Sequence, residues 1–379
     1  MNSNFENQIN PLEKSKQTPQ KTVVVAMSGG VDSTVCAALM KERGYNVIGV
    51  TLQLYDYGET ICSTDSTAKK SKTCCASKDI FDAQKACEML EIQHYVLNYE
   101  DIFRQEVIKD FADQYIQGYT PIPCVKCNQT VKFRDLFKIA KKLGADILVT
   151  GHYVQKKDGK MHQGVDKTKD QSYFLFQTTQ EQLDFLEFPL GGLSKAETRE
   201  LARKYKLEIS EKPDSQNICF VPDGDYAKVV QKYHPESFKI GQIVEIESGQ
   251  VLGTHNGIIH YTLGQRRGLG IAFEEPLYVV KLDVLTNTVF VGRYYNLLRD
   301  TFTISSSHFL LPQSELHNLS ENGKLKVRVR SSCEEISCKI NGNTVTLAEK
   351  IAFISPGQAA VFYNETQMLG GGYIEKIVG

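Results

Sequence analysis

The amino-acid sequence predicts an α/β domain built on a parallel sheet, a small central α+β domain, and a C-terminal antiparallel β-barrel. Three observations lead to this fold class. Residues 21 to about 210 alternate short β-branched runs with helical patterns, which is typical of a parallel sheet covered by helices. From about residue 215, one helical segment is followed by strands at hairpin spacing. Beyond about residue 290 the pattern is strand and turn only, which favours a small barrel.

In the first domain, the predicted strands and helices alternate along the chain. The strands are KTVVVAM, NVIGVTLQL, HYVLNY and ADILVTGH. Apolar residues recur at helical spacing in STVCAALMKERG, KDIFDAQKACEML, IFRQEVIKDFADQYIQG and TVKFRDLFKIAKKLG, two of which end at Gly44 and Gly144. A further helix begins at Ser194, which is expected to form a capping box with Glu197.

The remainder of the chain predicts two smaller domains. GDYAKVVQKYH indicates one helix, GQIVEIESGQVLGTH indicates a hairpin, and SCKINGNTVTLA contains a turn-forming Asn-Gly-Asn. We therefore expect a flexible N-terminal tail at residues 1–20, a catalytic domain at 21–215, a central domain at 216–288 and a barrel domain at 289–379.

Composition limits the classes of function. The chain of 379 residues carries Lys+Arg 44 and Asp+Glu 45, a formal charge of −1, so nucleic-acid contacts must come from local patches. The first twenty residues lack the apolar core of a signal peptide. No arginine precedes Arg43, which argues against a mitochondrial transit peptide. No stretch approaches the 18 apolar residues of a membrane span. We expect a cytoplasmic protein without a membrane partner, with its ten cysteines as thiols.

The stretch VVVAMSGGVDST predicts an anion site between a buried strand and a helix. Gly29 and Gly30 let the backbone approach a phosphate, Ser28 and Ser33 offer hydroxyl groups, and the helix N-terminus presents free N–H groups. Asp32 is placed to hold Mg²⁺ beside a pyrophosphate. The alternative is a strand-to-helix turn that uses glycine for geometry alone. The lysine of GxxxxGK[ST] is absent and no GxGxxG follows a strand, which argues against ordinary kinases, GTPases and dehydrogenases.

The stretch PCVKCN places Cys124 and Cys127 in a CxxC pair. Such a pair can hold a metal, cycle as a disulfide or react with a substrate. Cys36 and Cys87 lie on apolar helix faces and are expected to be small buried side chains.

Several motifs resemble one family over residues 23 to 376. SGGxDS resembles the pyrophosphatase loop of enzymes that cleave ATP between its α and β phosphates. In order, AMSGGVDS, TPIPCVKCNQTVKF, TGHY, KDQSYFL, DSQNICFVPDGDY, HYTLGQRRGLGI, SPGQAAVFY and LGGGYI resemble the tRNA-specific 2-thiouridylases, the MnmA/TrmU family. The resemblance implies an adenine nucleotide alpha hydrolase-like ATP-pyrophosphatase domain. It also implies a tRNA-uridine 2-sulfurtransferase, which adenylates the C2 oxygen of the wobble uridine and delivers sulfur to C2, giving 2-thiouridine, AMP and diphosphate.

The resemblance also implies the residues that bind the two substrates. The expected ATP contacts are Ala26, Met27, Ser28, Gly29, Gly30, Val31, Asp32, Ser33, Leu52 and Gly151. The expected tRNA contacts are Ile122, Pro123, Cys124, His152, Lys169, Asp170, Gln171, Arg328, Arg330 and Gln358.

Two sulfur-transfer mechanisms remain open at this point. In the first, which the resemblance implies, Cys219 carries a persulfide and Cys127 is the nucleophile, leaving a Cys127–Cys219 disulfide that must be reduced. A sulfur-relay protein or a cysteine desulfurase would then be a partner. Cys124 stands where the family more often has an aspartate that is a candidate acid/base group, so that role is in doubt here, and Cys124 is expected at most to support the reaction. In the second mechanism, Cys124, Cys127 and Cys219 bind a [4Fe–4S] cluster with one open iron.

Alternation in KLKVRVR predicts a row of cations for RNA phosphates. Lys324, Lys326, Arg328 and Arg330 would share one strand face, with Leu325, Val327 and Val329 on the other. A solvated barrel face is the alternative. Two other classes of function also fit the motifs: an ATP-pyrophosphatase ligase acting on a small molecule, and a non-catalytic RNA-binding module with a metal at CxxC.

Overall fold

The computed structural model describes residues 20–55, 75–212, 218–221 and 224–378, so the predicted tail lies outside it except for Gln20. The strands are β1 (Thr22–Ala26), β2 (Asn46–Gln53), β3 (Gln93–Asn98), β4 (Ile147–Val149), β5 (Val154–Lys157), β6 (Lys160–Gln163), β7 (Leu186–Glu187), β8 (Gly241–Glu245), β9 (Val251–His255), β10 (Tyr278–Asp283), β11 (Thr288–Gly292), β12 (Arg299–Phe309), β13 (Lys326–Arg328), β14 (Ile336–Asn341), β15 (Thr344–Ile351), β16 (Ala359–Asn364) and β17 (Gln367–Val378). The α-helices are α1 (Val31–Glu42), α2 (Cys75–Met89), α3 (Glu100–Phe103), α4 (Asp110–Ile116), α5 (Pro123–Cys127), α6 (Phe137–Lys142), α7 (Gln180–Phe185), α8 (Lys195–Lys204), α9 (Tyr226–Tyr233) and α10 (Gln313–Glu321). Short 3₁₀ turns lie at Ser172–Leu175, Glu208–Glu211, Pro235–Ser237, Ile258–His260 and Tyr294–Leu297.

A parallel sheet forms the first domain, as the sequence predicts, and its strands follow the order β3-β2-β1-β4-β7. Its central strand β1 is covered on both faces. Val23 and Val25 pack with α1, α2 and α8, whereas Val24 packs with the segment that runs from α5 to α6. The carboxyl ends of β1, β2 and β4 therefore meet at one edge between two helical layers, which is where open α/β sheets bind ligands. The predicted capping box at Ser194 and Glu197 begins α8 and is confirmed.

Two of the predicted helices contain π-helical turns. One such segment, Arg104–Lys109, joins α3 to α4, and another, Asn128–Leu136, joins α5 to α6. Hydrogen bonds in a π-helix run from residue i to residue i+5, and single π turns are frequent at functional sites. The apolar spacing of the sequence predicts the helices but not this change of pitch.

The central domain is a four-stranded sheet of order β10-β11-β8-β9, and α9, which precedes it, packs Ala227 and Val230 with Phe111 and Tyr115 of α4. The predicted hairpin over residues 241–255 is confirmed as the antiparallel pair β8 and β9. β11 pairs with β8 in parallel, which joins the two antiparallel pairs into one sheet with a core that includes Ile243, Val279, Val289 and Val291.

The C-terminal domain is a closed antiparallel barrel. Its strands follow the order β12-β15-β14-β13-β16-β17, and β12 pairs with β17 to complete the circle. Gly342 has a φ of +59° in the turn between β14 and β15, as the Asn-Gly-Asn sequence predicts. The hairpin of β5 and β6, from the first domain, joins the barrel through the pairing of Gln367 with His162.

The expectation of strand and turn only beyond residue 290 is wrong, because α10 lies within the barrel domain. This helix follows Pro312 and packs Leu316, which is buried, against the barrel core. Ser320 is also buried, and its hydroxyl oxygen accepts a hydrogen bond from the Ile340 amide at 3.1 Å. In the part of the chain that the structure describes, no helix has the length and apolar character needed to cross a membrane.

The predicted cation row is also wrong as a continuous exposed surface. Leu325, Val327 and Val329 face the core as expected, and Lys324 and Lys326 are exposed. Arg328, however, is 9% exposed and forms ion pairs with Asp170 at 2.9 Å and with Glu335. This happens because Asp170, from the first domain, lies against this end of β13. The guanidinium group therefore holds two domains together.

Arg328→Met is expected to destabilise the docking of the barrel on the first domain. The change leaves the Asp170 carboxylate, whose side chain is 3% exposed, without its counter-ion. Breaking a buried pair in this way costs about 3 to 5 kcal/mol of unfolding free energy. Calorimetry should show a lower Tm than in wild type, whereas Lys326→Met, an exposed change on the same strand, should melt as wild type does. Identical melting of both variants would contradict a structural role for Arg328.

Candidate active site

The loop between β1 and α1 has the backbone geometry of an anion site. Gly29 has a φ of +70°, a left-handed conformation that favours glycine. The Ser33 hydroxyl group accepts a hydrogen bond from the Ser28 amide at 3.1 Å and donates one to the Gly30 carbonyl at 3.2 Å. Because Gly30, the N-cap residue of α1, has no side chain, the first amides of the helix remain available to an anion.

Strands β2 and β4 bring the other predicted ATP contacts to this loop. A Cβ atom on Gly151, just beyond β4, would lie 3.1 Å from both the Ser33 amide nitrogen and Cβ of Asp32. Leu52 lies two residues beyond Val50, the register partner of Ala26. The expected ATP contacts, Ala26–Ser33, Leu52 and Gly151, therefore lie at one edge of the sheet, and their role in binding ATP stays a prediction.

Asp32 is the partner of a lysine that the sequence analysis did not select. Its two carboxylate oxygens lie 2.8 and 2.9 Å from Nζ of Lys195, and one of them accepts a hydrogen bond from the Tyr153 hydroxyl at 2.9 Å. Lys195 follows the capping-box serine at the start of α8, which is the one sequence signal for its position. The burial of Tyr153, together with the nearby Asp32 charge, raises the pKa of its hydroxyl.

This arrangement does not form a metal site built by the protein. Among the described residues, no three His, Cys, Asp or Glu side chains are grouped so as to hold a metal ion. Mg²⁺ is commonly bound by one or two carboxylates together with substrate phosphates. Both Asp32 oxygens contact the Lys195 ammonium group in this structure. Mg²⁺ binding by Asp32 stays a prediction.

Lys212 is a second cation that sequence analysis missed. Its ammonium group donates to the Gly29 carbonyl at 2.8 Å and pairs with Asp79 at 2.8 Å and Asp82 at 2.6 Å. These contacts tie the glycine loop to α2. No motif marks Lys212, because its partners are distant in the sequence.

The thiols Cys127 and Cys219 lie in one apolar cluster. Cys127, at the end of α5, is 7% exposed and packs with Phe220, and the half-buried Cys219 adjoins the same cluster. Burial raises the pKa of Cys219 to about 12, with smaller increases from Cys127 and Cys124. The pKa of Cys127 is raised by burial, lowered by Lys132 and raised by Cys124. The three cysteines are therefore neighbours, but they are not grouped as metal ligands among the described residues, which does not favour the [4Fe–4S] alternative.

The half-buried His152, against Phe133, and the buried Asn128, which follows Cys127 in the chain, are polar groups of the same region. Burial and the Lys132 charge lower the pKa of His152 to about 3, so its ring is neutral at physiological pH. Its Nδ1 lies 2.8 Å from the Thr150 hydroxyl group. The Asn128 amide donates to the Phe174 carbonyl at 3.2 Å, while its buried Oδ1 has no hydrogen-bond partner within the described residues. That oxygen is an acceptor available to a bound group.

A cavity of about 310 Å³ separates the cysteine segment from the barrel. Its wall includes Ile122, Pro123 and Lys126 on one side and Tyr373 on the other. Gln358, at the barrel side, donates a hydrogen bond from Nε2 to the Thr120 carbonyl at 3.0 Å. Three of the predicted tRNA contacts, Ile122, Pro123 and Gln358, are therefore brought together where the two domains meet.

Two of the predicted tRNA contacts, Asp170 and Arg328, form a buried ion pair with each other. Asp170 also accepts hydrogen bonds from the Gly164 and Ser172 amides, and the assignment of both residues to tRNA binding stays a prediction. Arg330 is partly buried beside the Phe353 ring. The assignments of Cys124, His152, Lys169, Gln171 and Arg330 to tRNA binding stay predictions.

Comparison with known proteins gives full-length relatives. Family models match residues 21–223 (tRNA methyl transferase HUP domain), 227–293 (tRNA methyl transferase PRC-barrel domain) and 299–374 (Aminomethyltransferase beta-barrel domain). The tRNA-specific 2-thiouridylase MnmA of Rickettsia bellii (strain OSU 85-389) is 52% identical over 372 residues, 95% of this chain and 97% of that protein. The protein of that name in Rickettsia prowazekii is 51% identical, over 93% of this chain and 98% of its own. A solved 4-thiouridine synthetase–RNA complex with bound ATP is 19% identical with a TM-score of 0.36, over 57% of this chain and 51% of that chain.

Gly29→Ala is expected to impair ATP binding by at least about 10-fold. An added Cβ atom would lie 2.1 Å from the Asp79 carbonyl oxygen, so the loop backbone must move. Gly44→Ala is a matched control, because Gly44 also has a positive φ, +83°, but has no atom within 4 Å of an added Cβ. Both variants should lose about 1 to 2 kcal/mol of stability through left-handed strain. Titration calorimetry with ATP separates them, and unchanged ATP affinity in Gly29→Ala would remove the loop from the nucleotide site.

Proposed function

Because the chain belongs to the tRNA-specific 2-thiouridylase family, we propose that it transfers sulfur to the wobble uridine of tRNA by a persulfide relay between Cys219 and Cys127. The protein is an enzyme, a tRNA sulfurtransferase that uses ATP to form 2-thiouridine. Its three-domain fold comprises a parallel-sheet nucleotide domain, a central PRC-barrel domain and a closed antiparallel barrel.

One observation supports the relay most strongly. Leu52, an expected ATP contact at the carboxyl end of β2, packs both with the sheet core that contains Val24 and with the apolar cluster of Cys127 and Cys219. This packing supports a nucleotide site adjacent to the thiol pair. Sulfur transfer needs this adjacency, because the uridine oxygen must be activated by ATP at the position where sulfur attacks.

The description of the matching family model refers to tRNA methyl transfer, whereas the relatives that match nearly the whole chain are named for thiolation. The relatives match nearly the whole chain at half identity. The pair of thiols beside an anion loop also agrees with ATP-driven sulfur chemistry. We therefore assign thiolation.

The relay proceeds in three steps. The amides of the loop around Gly29 and of the α1 N-terminus bind the ATP phosphates, and the uridine C2 oxygen attacks the α phosphorus, releasing diphosphate. The terminal sulfur of a Cys219 persulfide then attacks C2, and the C2 oxygen leaves with AMP. Finally, the Cys127 thiolate attacks Sγ of Cys219, which leaves sulfur on C2 and forms a Cys127–Cys219 disulfide. A thiol reductant restores the two cysteines, and a sulfur-relay protein or cysteine desulfurase renews the persulfide.

Substitution of the three cysteines tests the relay. Cys127→Ser and Cys219→Ser should abolish 2-thiouridine formation, because each removes a sulfur atom that must form or break an S–S bond. Cys124→Ser should retain substantial activity, because the relay assigns that residue no bond. The measurement is mass spectrometry of nucleosides from tRNA incubated with reduced protein, ATP and a persulfide donor.

Two results would count against the proposal. Complete loss in all three variants, together with activity that depends on reconstituted iron and acid-labile sulfide, would favour a cluster. AMP formation with a carboxylic acid and without RNA would favour a small-molecule ligase.

A further inference from the structure

We propose that Lys132 is the positioning residue of the sulfur-transfer site, whose ammonium group stabilises the thiolate of Cys127. This inference rests on the proposed function for its role in the relay. The electrostatic effect itself belongs to the protein before either substrate binds.

The π-helical turn gives Lys132 its position. Cys127 directly precedes the π segment Asn128–Leu136, and Lys132 is five residues further on. Side chains at i and i+4 share a face in an α-helix, whereas the i to i+5 hydrogen bonds of a π-helix place Lys132 one turn beyond Cys127. The change of helix type therefore moves Lys132 towards the face of the thiol.

The neighbours of Lys132 in the chain lie against both sides of the site. Val131 is fully buried in the cluster that contains Cys127. Phe133 is 1% exposed, and its ring centroid lies 5.8 Å from that of His152. Lys132 thus extends from a backbone that is held between the thiols and His152.

Lys132 differs from the other half-buried lysines of the site because it is not neutralised. Lys195 pairs with Asp32, and Lys212 pairs with Asp79 and Asp82. Within the described residues, Lys132 is half-buried and forms no ion pair with a carboxylate. Its charge is therefore available to an anion.

The titratable groups around Lys132 respond to this charge. Lys132 lowers the pKa of Cys124, Cys127 and Cys219, opposing the larger effect of burial on each thiol. Burial lowers the pKa of His152, and the Lys132 charge lowers it further. These four groups come from three separate parts of the chain, and Lys132 is the cation common to all of them.

The chemical need for such a cation follows from burial. A thiolate rather than a thiol attacks a disulfide or persulfide sulfur, but an apolar setting disfavours the anion. The nearby ammonium group offsets that penalty when Cys127 loses its proton to water. The effect is required at the last step of the relay, where the Cys127 thiolate cleaves the S–S bond.

Lys132→Met should raise the apparent pKa of Cys127 and slow its alkylation at pH 7.5 by about 10-fold, which corresponds to one pKa unit. Site-resolved mass spectrometry after timed iodoacetamide pulses, over a range of pH and without ATP or tRNA, measures this rate. Lys132→Arg should restore most of the rate, because it retains the charge. Lys138→Met, an exposed change in the helix that follows, is the matched control and should behave as wild type.

A second measurement is the pH profile of single-turnover thiolation with persulfide-loaded protein. The pH range over which the thiolation rate rises should move to higher pH in Lys132→Met and stay unchanged in Lys138→Met. If Lys132 acted only through packing, its substitution would lower the rate at every pH without shifting that range. Unchanged pH midpoints in both measurements would overturn the role of Lys132. If wild type formed no 2-thiouridine while Lys132→Met still showed a shifted alkylation midpoint, the proposed function would be overturned and the electrostatic role of Lys132 would stand.

Discussion

The burial of β1 on both faces is the constraint on which the rest of the site depends. Successive valines of this strand enter different cores, so a shift by one residue would exchange Val24 with its neighbours and misplace both sets of contacts. The end of β1, and with it the start of the glycine loop, is thereby fixed. Lys212 and Lys195 then hold the loop and the first turn of α1 from outside the strand.

The barrel is part of the active-site framework as well as a candidate RNA-binding surface. Gln358 binds the Thr120 carbonyl, and a Cβ atom on Gly357 would lie 2.9 Å from the Thr120 amide, so the barrel closely contacts the segment that precedes Cys124. The ion pair of Arg328 with Asp170 forms a second connection between the domains. The position of the cysteine segment therefore depends on a domain that supplies no thiol to it.

Local patterns predicted most of the fold and only part of the site. The alternating strands and helices of the first domain, the capping box at Ser194 and the turn at Gly342 all follow from neighbouring residues. Lys212 and Lys195 could not be identified, because their partners lie more than 100 positions away. Alternation correctly gave the buried face of β13 but not the covering of Arg328 by another domain. The π segment after Cys127 escaped prediction because its hydrogen-bond register depends on packing, while its composition remains that of an ordinary amphipathic helix.

The joining of the β5–β6 hairpin to the barrel also affects how the enzyme matures on the ribosome. His162 and Thr366, whose side chains are 3.1 Å apart, are separated by 204 positions. At about 5 to 20 residues per second, roughly 10 to 40 s pass between synthesis of the first and of the second. During that interval the nucleotide domain can fold, but β6 has not yet paired with β17 and Asp170 has not yet paired with Arg328. Completion of the active-site framework is thus one of the last events in the biogenesis of the protein.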